Sequence, residues 1–311
     1  MSRRTPRIFA ATLAVAALAL GACVERTTET PAASGSPTAA AFPVTVGSLT
    51  LEQRPEKIVS LAPTATEMLF AIGAGPQVIA VDDQSNFPAD APRTDLSGYQ
   101  PNAEAIAAKD PDLVVLSDDR NKIVEQLGAL KIPVYQTPAA QTLDDSYRQL
   151  TELGTLTGNA TEAEDVVQRM KDDIAKLVAE APQRDKALTY FHELGPELYT
   201  ATSKTFIGSI YALAGLENIA DAADADGKSG GYPQLSQEVI VQANPDFVFL
   251  SDVKCCQQST ATVKARSGWS GINAVRNDQI VELDDDVASR WGPRVVDLLR
   301  TIVDATAKAS E

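Results

Sequence analysis

The eight residues PDLVVLSD at 111–118 return almost letter for letter as PDFVFLSD at 245–252, an offset of 134 positions. The offset holds beyond the match, since Asn102 falls on Ser236, Glu104 on Glu238 and Arg120 on Lys254. Each copy runs through a helix-capping side chain, an acid two places on, a short apolar run and a cation. LVVL and FVFL lack polar alternation, which suits strands buried on both faces of a parallel sheet. Repetition of such a unit half a chain apart predicts two lobes of one design. At 311 residues there is room for two domains of ordinary size.

The stretches between the repeats alternate strand and helix. VTVGSLTL (44–51) reads as a hairpin around Gly47, and KIVSL (57–61) as a buried strand. TATEMLFAIGAG (64–75) is a helix that ends at glycine, and VIAV (78–81) is a strand. PNAEAIAAKD, LVVL, NKIVEQLGAL and PVYQT continue as helix, strand, helix and strand, and 142–158 as a helix. Thr161–Glu164 offers a capping box for EAEDVVQRMKDDIAKLVAEA, whose Val166, Val167, Met170, Ile174, Leu177 and Val178 recur at helical spacing. The second half repeats the order, with strands at 187–191, 247–250 and 279–283 and helices at 204–215 and 235–244. GINAV (271–275) and PRVVDLLRTIVDAT (293–306) read as two further helices, with Pro293 in the first turn of the last. The expected fold is α/β: two Rossmann-like lobes with mostly parallel sheets, one long backbone helix between them and a ligand cleft between the lobes.

The start of the chain is a targeting segment. MSRRTPR is basic, Ile8–Leu20 is an apolar run of 13 residues, and LGAC ends at Cys23. The run is short for a membrane span and suits a signal peptide. Its closing LGAC resembles the lipobox of bacterial lipoproteins, which implies lipidation of Cys23; a plain signal peptide with an incidental cysteine is the alternative. The Thr-, Ser-, Pro- and Ala-rich stretch that follows reads as a tether. The expected divisions are a signal peptide at 1–23, a tether at 24–42, an N-terminal lobe at 43–158, a connecting helix at 159–181 and a C-terminal lobe at 182–311. Net charge is −15, and −18 once Arg3, Arg4 and Arg7 leave with the leader. Nucleic acid, which needs clustered cations, is an improbable partner.

KIVSLAPTATEMLFAIGAG, PNAEAIAAKDPDLVVLSD, the long mid-chain helix, LSQEVIVQANPDFVFLSD and WGPRVVDLL together carry a family likeness. From about Phe42 to Glu311 the chain resembles substrate-binding proteins of bacterial ABC importers, in the rigid-helix class that serves ferric siderophores, haem and cobalamin. The resemblance implies an exported monomer held at the membrane by its N-terminal lipid, with permease and ATPase subunits as partners and no cofactor. It also implies that Glu104 and Glu238 dock onto arginines of the membrane subunits. An acid in a helix first turn, favoured by the macrodipole, is the plainer account of both.

Loops beyond the carboxyl ends of the strands supply the candidate ligand contacts. Arg120 and Lys254, at matching places, would suit an anionic ferric siderophore, or be solvated loop charges. Tyr99, Tyr232 and Trp291 offer flat surfaces with polar edges, with Arg290 close to Trp291, or serve only as packing and loop anchors. His192, after the strand ALTYF, is either a further contact or a satisfied loop histidine, and it or a tyrosine would supply the axial ligand if the cargo is haem. Cys255 and Cys256 either form a vicinal disulfide at the cleft mouth or remain two thiols. A ferric siderophore ranks first as cargo, then a corrinoid, then haem. A signalling or adhesion module on the same scaffold is the alternative from another class.

An enzyme is not expected. With His192 as the single histidine and no G-x-S-x-G, a serine hydrolase has little to build on. GKS at 227–229 lacks the first glycine of a phosphate loop, since Ala222 stands there. No zinc-ligand spacing is present.

Overall fold

The computed structural model describes residues 42–309, so the expectations for the leader, Cys23 and nearly all of the tether lie outside the described residues. An antiparallel hairpin comes first, β1 (Val44–Val46) and β2 (Leu49–Leu51), with Gly47 at φ 58° in its turn. The first lobe follows as β3 (Ile58–Ser60), α1 (Pro63–Ala71), β4 (Val78–Val81), α2 (Ala103–Ala107), β5 (Leu113–Leu116), α3 (Ile123–Ala129) and β6 (Val134–Gln136). A helical hairpin, α4 (Leu143–Thr157) and α5 (Ala160–Glu180), leads out of it.

The second lobe begins with β7 (Thr189–Glu193), α6 (Phe206–Leu213), β8 (Glu217–Asn218), α7 (Gln237–Ala243) and β9 (Phe247–Leu250). Three short helices come next, α8 (Val253–Cys256), α9 (Thr260–Lys264) and α10 (Asn273–Arg276). The chain closes with β10 (Ile280–Glu282), α11 (Asp285–Ala288) and α12 (Val295–Lys308).

Both main sheets are wholly parallel, in the orders β4-β3-β5-β6 and β8-β7-β9-β10. Each places its first strand between its second and third. The two copies of the repeat, β5 and β9, therefore hold the same topological place.

Alternation along the strands divides each sheet between two cores. Ile58, Leu113 and Val115 of the first sheet, and Tyr190, Phe247 and Phe249 of the second, face one continuous apolar cluster. That cluster also takes in Leu150 and Leu153 of α4, Val166, Met170 and Ile174 of α5, and Leu299 and Ile302 of α12. The opposite faces are separate, with Val59, Val114 and Leu116 packing on Ile106 and Leu127, and Phe191, Val248 and Leu250 on Ile240 and Trp269. At 21 residues, α5 spans roughly 30 Å, and its buried stripe belongs to the core that both lobes share.

Local differences from the sequence reading have physical causes. The α5 cap is Asn159 rather than Thr161, because α4 ends at Gly158 in the left-handed region, φ 72°, and one residue then starts the next helix. The turn is tight, since a Cβ on Gly154 would lie 2.4 Å from that of Ala163. A reciprocal capping box does form, but at Thr142 and Asp145 on α4. Pro293 precedes the Arg294 cap of α12 instead of entering its first turn.

Polar contacts hold the seam between the lobes. Buried Glu67 on α1 accepts from Arg290 Nη1 at 2.6 Å and from Arg294 Nε at 2.9 Å. Arg290 also donates to Asn86 Oδ1 at 3.0 Å, Gln84 O at 3.2 Å and Asp286 Oδ1 at 2.8 Å. Asn86 Nδ2 donates to Asp286 Oδ2 at 2.9 Å, and Trp291 Nε1 to Gln149 Oε1 at 2.9 Å. Glu67→Ala leaves two guanidinium groups without their shared carboxylate at a buried seam. Removing one partner of a buried pair costs about 3–5 kcal/mol, and urea melts of the variant should show a loss of that order. A loss under about 1 kcal/mol, the value of an exposed pair, would mean that water replaces the carboxylate.

Candidate functional site

In open parallel sheets the ligand-binding crevice lies beyond the carboxyl ends of the strands, where neighbouring connections leave in opposite directions. Here those points are the ends of β3 and β5 in one lobe and of β7 and β9 in the other. The loop 96–100 crosses the end of β3 so closely that a Cβ on Gly98 would stand 2.3 Å from the Leu61 carbonyl oxygen. Glycine at 98 is thus required, and the crossing presents Tyr99 at 72% exposure. The Arg120 guanidinium, from the loop after β5, lies 4.5 Å from the Tyr99 ring centre and 3.3 Å from Asp118. The first lobe thus offers a ring backed by a half-exposed cation.

In the second lobe the loop after β7 folds back through Leu194 N to Tyr199 O, and Tyr199 bridges to Gln234. Tyr199 and Tyr232 are both exposed there. The segment after β9 forms α8, in which the sulfurs of Cys255 and Cys256 are joined as a vicinal disulfide. Cys255 is exposed and Cys256 partly so.

Three consecutive acids tie α8 in place. Asp284 caps α11 and accepts from Lys254 Nζ at 2.7 Å. Asp285 accepts from the backbone N–H groups of Val253, Lys254 and Cys255 at 3.0, 2.9 and 3.0 Å. Asp286 takes Lys254 Nζ at 2.8 Å while also holding Asn86 and Arg290 at the seam. Burial works to raise Asp284 and Asp286, but Lys254 and the neighbouring donors outweigh it and hold both carboxyls below their ordinary range.

Four expected ligand contacts stand differently. Lys254 is bound by two carboxylates, because the α11 turn brings Asp284 and Asp286 to it, so it is not an open cation. Arg290 is buried, and both its terminal nitrogens bond to protein acceptors across the seam. The Trp291 indole turns toward α4 and packs on the shared core. His192 lies inside β7, which runs on to Glu193, and not in a loop after it. It is 1% exposed and shares a 2.8 Å hydrogen bond with the Tyr211 hydroxyl. Burial pulls its pKa down to about 3, so it is a neutral core imidazole. The sequence reading passed over exposed Tyr199 and Phe87, the latter under the Arg294 guanidinium at 4.3 Å. Only their place in loops after strands could have singled them out.

Beneath α8 lies an acid pair that spacing did not suggest. Arg266 grips Glu193 with both terminal nitrogens, at 2.6 and 2.5 Å, and Glu193 is fully buried. Asp252 is also fully buried, and neither carboxyl oxygen meets a donor. Burial, with the Glu193 carboxylate next in effect, pushes Asp252 up to about 7. The Arg266 guanidinium bonds Glu193 and Gln258 and leaves Asp252 without a donor, so the neutral acid is favoured at Asp252. Among the described residues no group of three or more His, Cys, Asp or Glu could hold a metal ion. No helix among them is long and apolar enough to cross a membrane.

Glu104 and Glu238 are both exposed in helix first turns, behind Asn102 and Ser236, which accept from Ala105 N and Val239 N. A crossover helix runs antiparallel to its strands, so these first turns sit toward the same carboxyl ends as the cleft loops.

Residues 58–287 match the family described as periplasmic binding protein. A cobalamin-binding protein of Halobacterium salinarum is 34% identical over 281 residues, covering 86% of this chain and 75% of that one. A substrate-binding lipoprotein of an ABC transporter in Bacillus subtilis is 29% identical over 271 residues, covering 82% and 83%. The crystal structure of a possible iron-binding periplasmic solute-binding protein of Staphylococcus epidermidis superposes with a TM-score of 0.70 at 28% identity, covering 82% of this chain and all of the other.

The buried acid predicts a pH dependence. Asp252 titrates near 4 in the unfolded chain and near 7 in the folded one. Its stabilising contribution is therefore complete below about pH 4 and is lost as pH rises through 7. His192 acts with the opposite sign below its unfolded value of about 6.5, so the comparison is made between variant and parent at each pH. Asp252→Asn keeps a neutral donor beside Glu193. Its melting temperature should exceed the parent's at pH 8 and approach it at pH 4.5. Parallel profiles would show that Asp252 is ionised in the native state throughout.

Proposed function

Since the chain belongs to the periplasmic binding protein family, we propose that it is the lipid-anchored, extracytoplasmic receptor of an ABC importer, carrying a large metal chelate or corrinoid to the permease and ATPase. It performs no chemistry, and its work is selective affinity and docking. Cys23 supplies the anchor and residues 24–42 the tether. A shared core along α5 supports small lobe movements in place of wide closure.

Among the cargoes a corrinoid ranks first. The observation that carries this is the closure of Lys254 between Asp284 and Asp286. A facing pair of open cations was the reason to favour an anionic ferric chelate, and that pair is reduced to Arg120. Beside Arg120, the candidate contacts that stay open are aromatic or neutral: Tyr99, Tyr199, Tyr232 and the Cys255–Cys256 turn. Such surface suits a bulky ligand of low net charge. The relatives include both a cobalamin-binding protein and a possible iron-binding protein, so the order rests on the cleft residues. A ferric siderophore is the second reading, favoured by the half-exposed guanidinium of Arg120. Haem is the third reading: buried His192 offers no axial imidazole, which leaves an exposed tyrosine such as Tyr99, Tyr199 or Tyr232 to ligate its iron.

Fluorescence titration of the soluble fragment beginning at Val24 tests the cargo. Cyanocobalamin should quench saturably at micromolar concentration or below, while a ferric trihydroxamate and haemin bind more weakly. Tyr99→Ala should weaken cyanocobalamin about tenfold, the ~1.4 kcal/mol scale of one exposed aromatic anchor. Tighter binding of the trihydroxamate would reverse the order of the two readings. Flat responses to all three, supported by calorimetry, would favour a module with no transport role.

Docking is tested apart from cargo. Glu104→Lys with Glu238→Lys should abolish uptake into cells and leave cyanocobalamin affinity within about twofold, since neither side chain belongs to the cleft. A parallel loss of affinity would remove these glutamates from the docking role.

A further inference from the structure

We propose that Asp285 is a positioning residue for cargo selection, locking the Cys255–Cys256 turn into a fixed contact on the cleft wall. This deepens the receptor reading and rests on it for the cargo, but the turn itself has a readout that does not.

Four residues of α8 are too few to stand alone, since a helical turn that short leaves its amides without intrahelical partners. The expected cap does not supply them, because Asp252 makes no side-chain capping bond to α8. Asp285, reaching over from α11, accepts three of them in succession, from Val253, Lys254 and Cys255. Charge-assisted bonds of this kind are about twice as strong as neutral ones. The third reaches the first cysteine of the disulfide. Behind the turn, the Asp252 carbonyl oxygen accepts from Cys256 N at 3.2 Å and from Gln258 N at 3.3 Å, closing the far side.

Its neighbours in the chain determine what this anchor is fixed to. Asp284 and Asp286 hold Lys254 from the same short helix, and Asp286 reaches Asn86 of the first lobe. The disulfide turn is thereby referenced to the seam and, through it, to the opposite wall. A rigid, largely neutral turn excludes ligands by shape, whereas a loose one yields to them. Asp285 therefore governs discrimination between cargoes more than fold stability, for it is itself half-buried and lies outside the shared core.

Two readouts test this in the soluble fragment. The first is the rate at which a trialkylphosphine reduces Cys255–Cys256, followed by alkylation and intact mass. Asp285→Ala should accelerate reduction at least fivefold and Asp285→Asn, which keeps one carbonyl acceptor, by less. The second is the ratio of affinities for cyanocobalamin and a ferric trihydroxamate, measured in Asp285→Ala, in Cys255→Ser/Cys256→Ser and in all three changes combined. Asp285→Ala should reduce the ratio about tenfold, with no further reduction when the cysteines are already replaced. Unchanged reduction rate, or additive losses in the combined variant, would overturn the proposal. Should neither probe bind the parent, both leading cargo readings fail and with them the selective role of Asp285, while the reduction rates still decide whether Asp285 holds the turn.

Discussion

The stripe of α5 that enters a core common to both sheets is the constraint on which the rest depends. Val166, Met170 and Ile174 belong to the same apolar cluster as Val115 of one sheet and Phe249 of the other. Separating the lobes would expose part of that cluster to water, at roughly 25 cal/mol for each Å² of apolar surface. The Glu67, Arg290 and Arg294 cluster works on a different link of the chain. Buried ion pairs contribute little net stability over well-packed apolar groups, but they are costly to misalign. The core keeps the lobes together, and the charges fix how they meet.

That arrangement explains why the cleft is less cationic than its sequence suggests. The turn 284–286 places three carboxylates within reach of one lysine, one short helix and one seam. Lys254, the second copy of Arg120 in the repeat, is drawn into this network instead of facing ligand. Arg120 keeps a single exposed carboxylate and an aromatic ring. Two residues equivalent by position thus have different chemistry, because three acids come just after β10 while the stretch TPAAQ follows β6.

Much of the architecture was legible because it is written in short-range pattern. Uninterrupted apolar runs marked both buried strands of the repeat, and one-sided periodicity marked α5. The two capping residues before Glu104 and Glu238 were legible for the same reason, since a cap and its amide are three positions apart. The cleft was legible only in part. Tyr99 and Tyr232 are exposed where loops after strands place them, and the cysteines are adjacent in the chain whatever the fold. Arg290, Trp291, Lys254 and His192 make contacts that the sequence did not foretell, because their partners are distant or lie on another element. Glu67 lies 223 positions from Arg290, and Gln149 lies 142 from Trp291. The strand that buries His192 extends two residues past the apolar run that announced it. Spacing carries no information about such pairings.

The duplication also separates two kinds of demand on one scaffold. The sheets share an order, their third strands share a sequence, and the acids before those strands share a position. These matched features lie in the helices and strands, where packing keeps equivalent residues equivalent. The cleft loops do not match: one lobe offers a tyrosine stacked on arginine, the other a disulfide turn tied to three acids. Loops are free to differ because they add little to the core. A partner with two similar halves would be met by the matched acids, and an asymmetric cargo by the unmatched loops. A repeated chain answers both demands only if divergence is confined to the carboxyl ends of the strands, and that is where these two lobes differ.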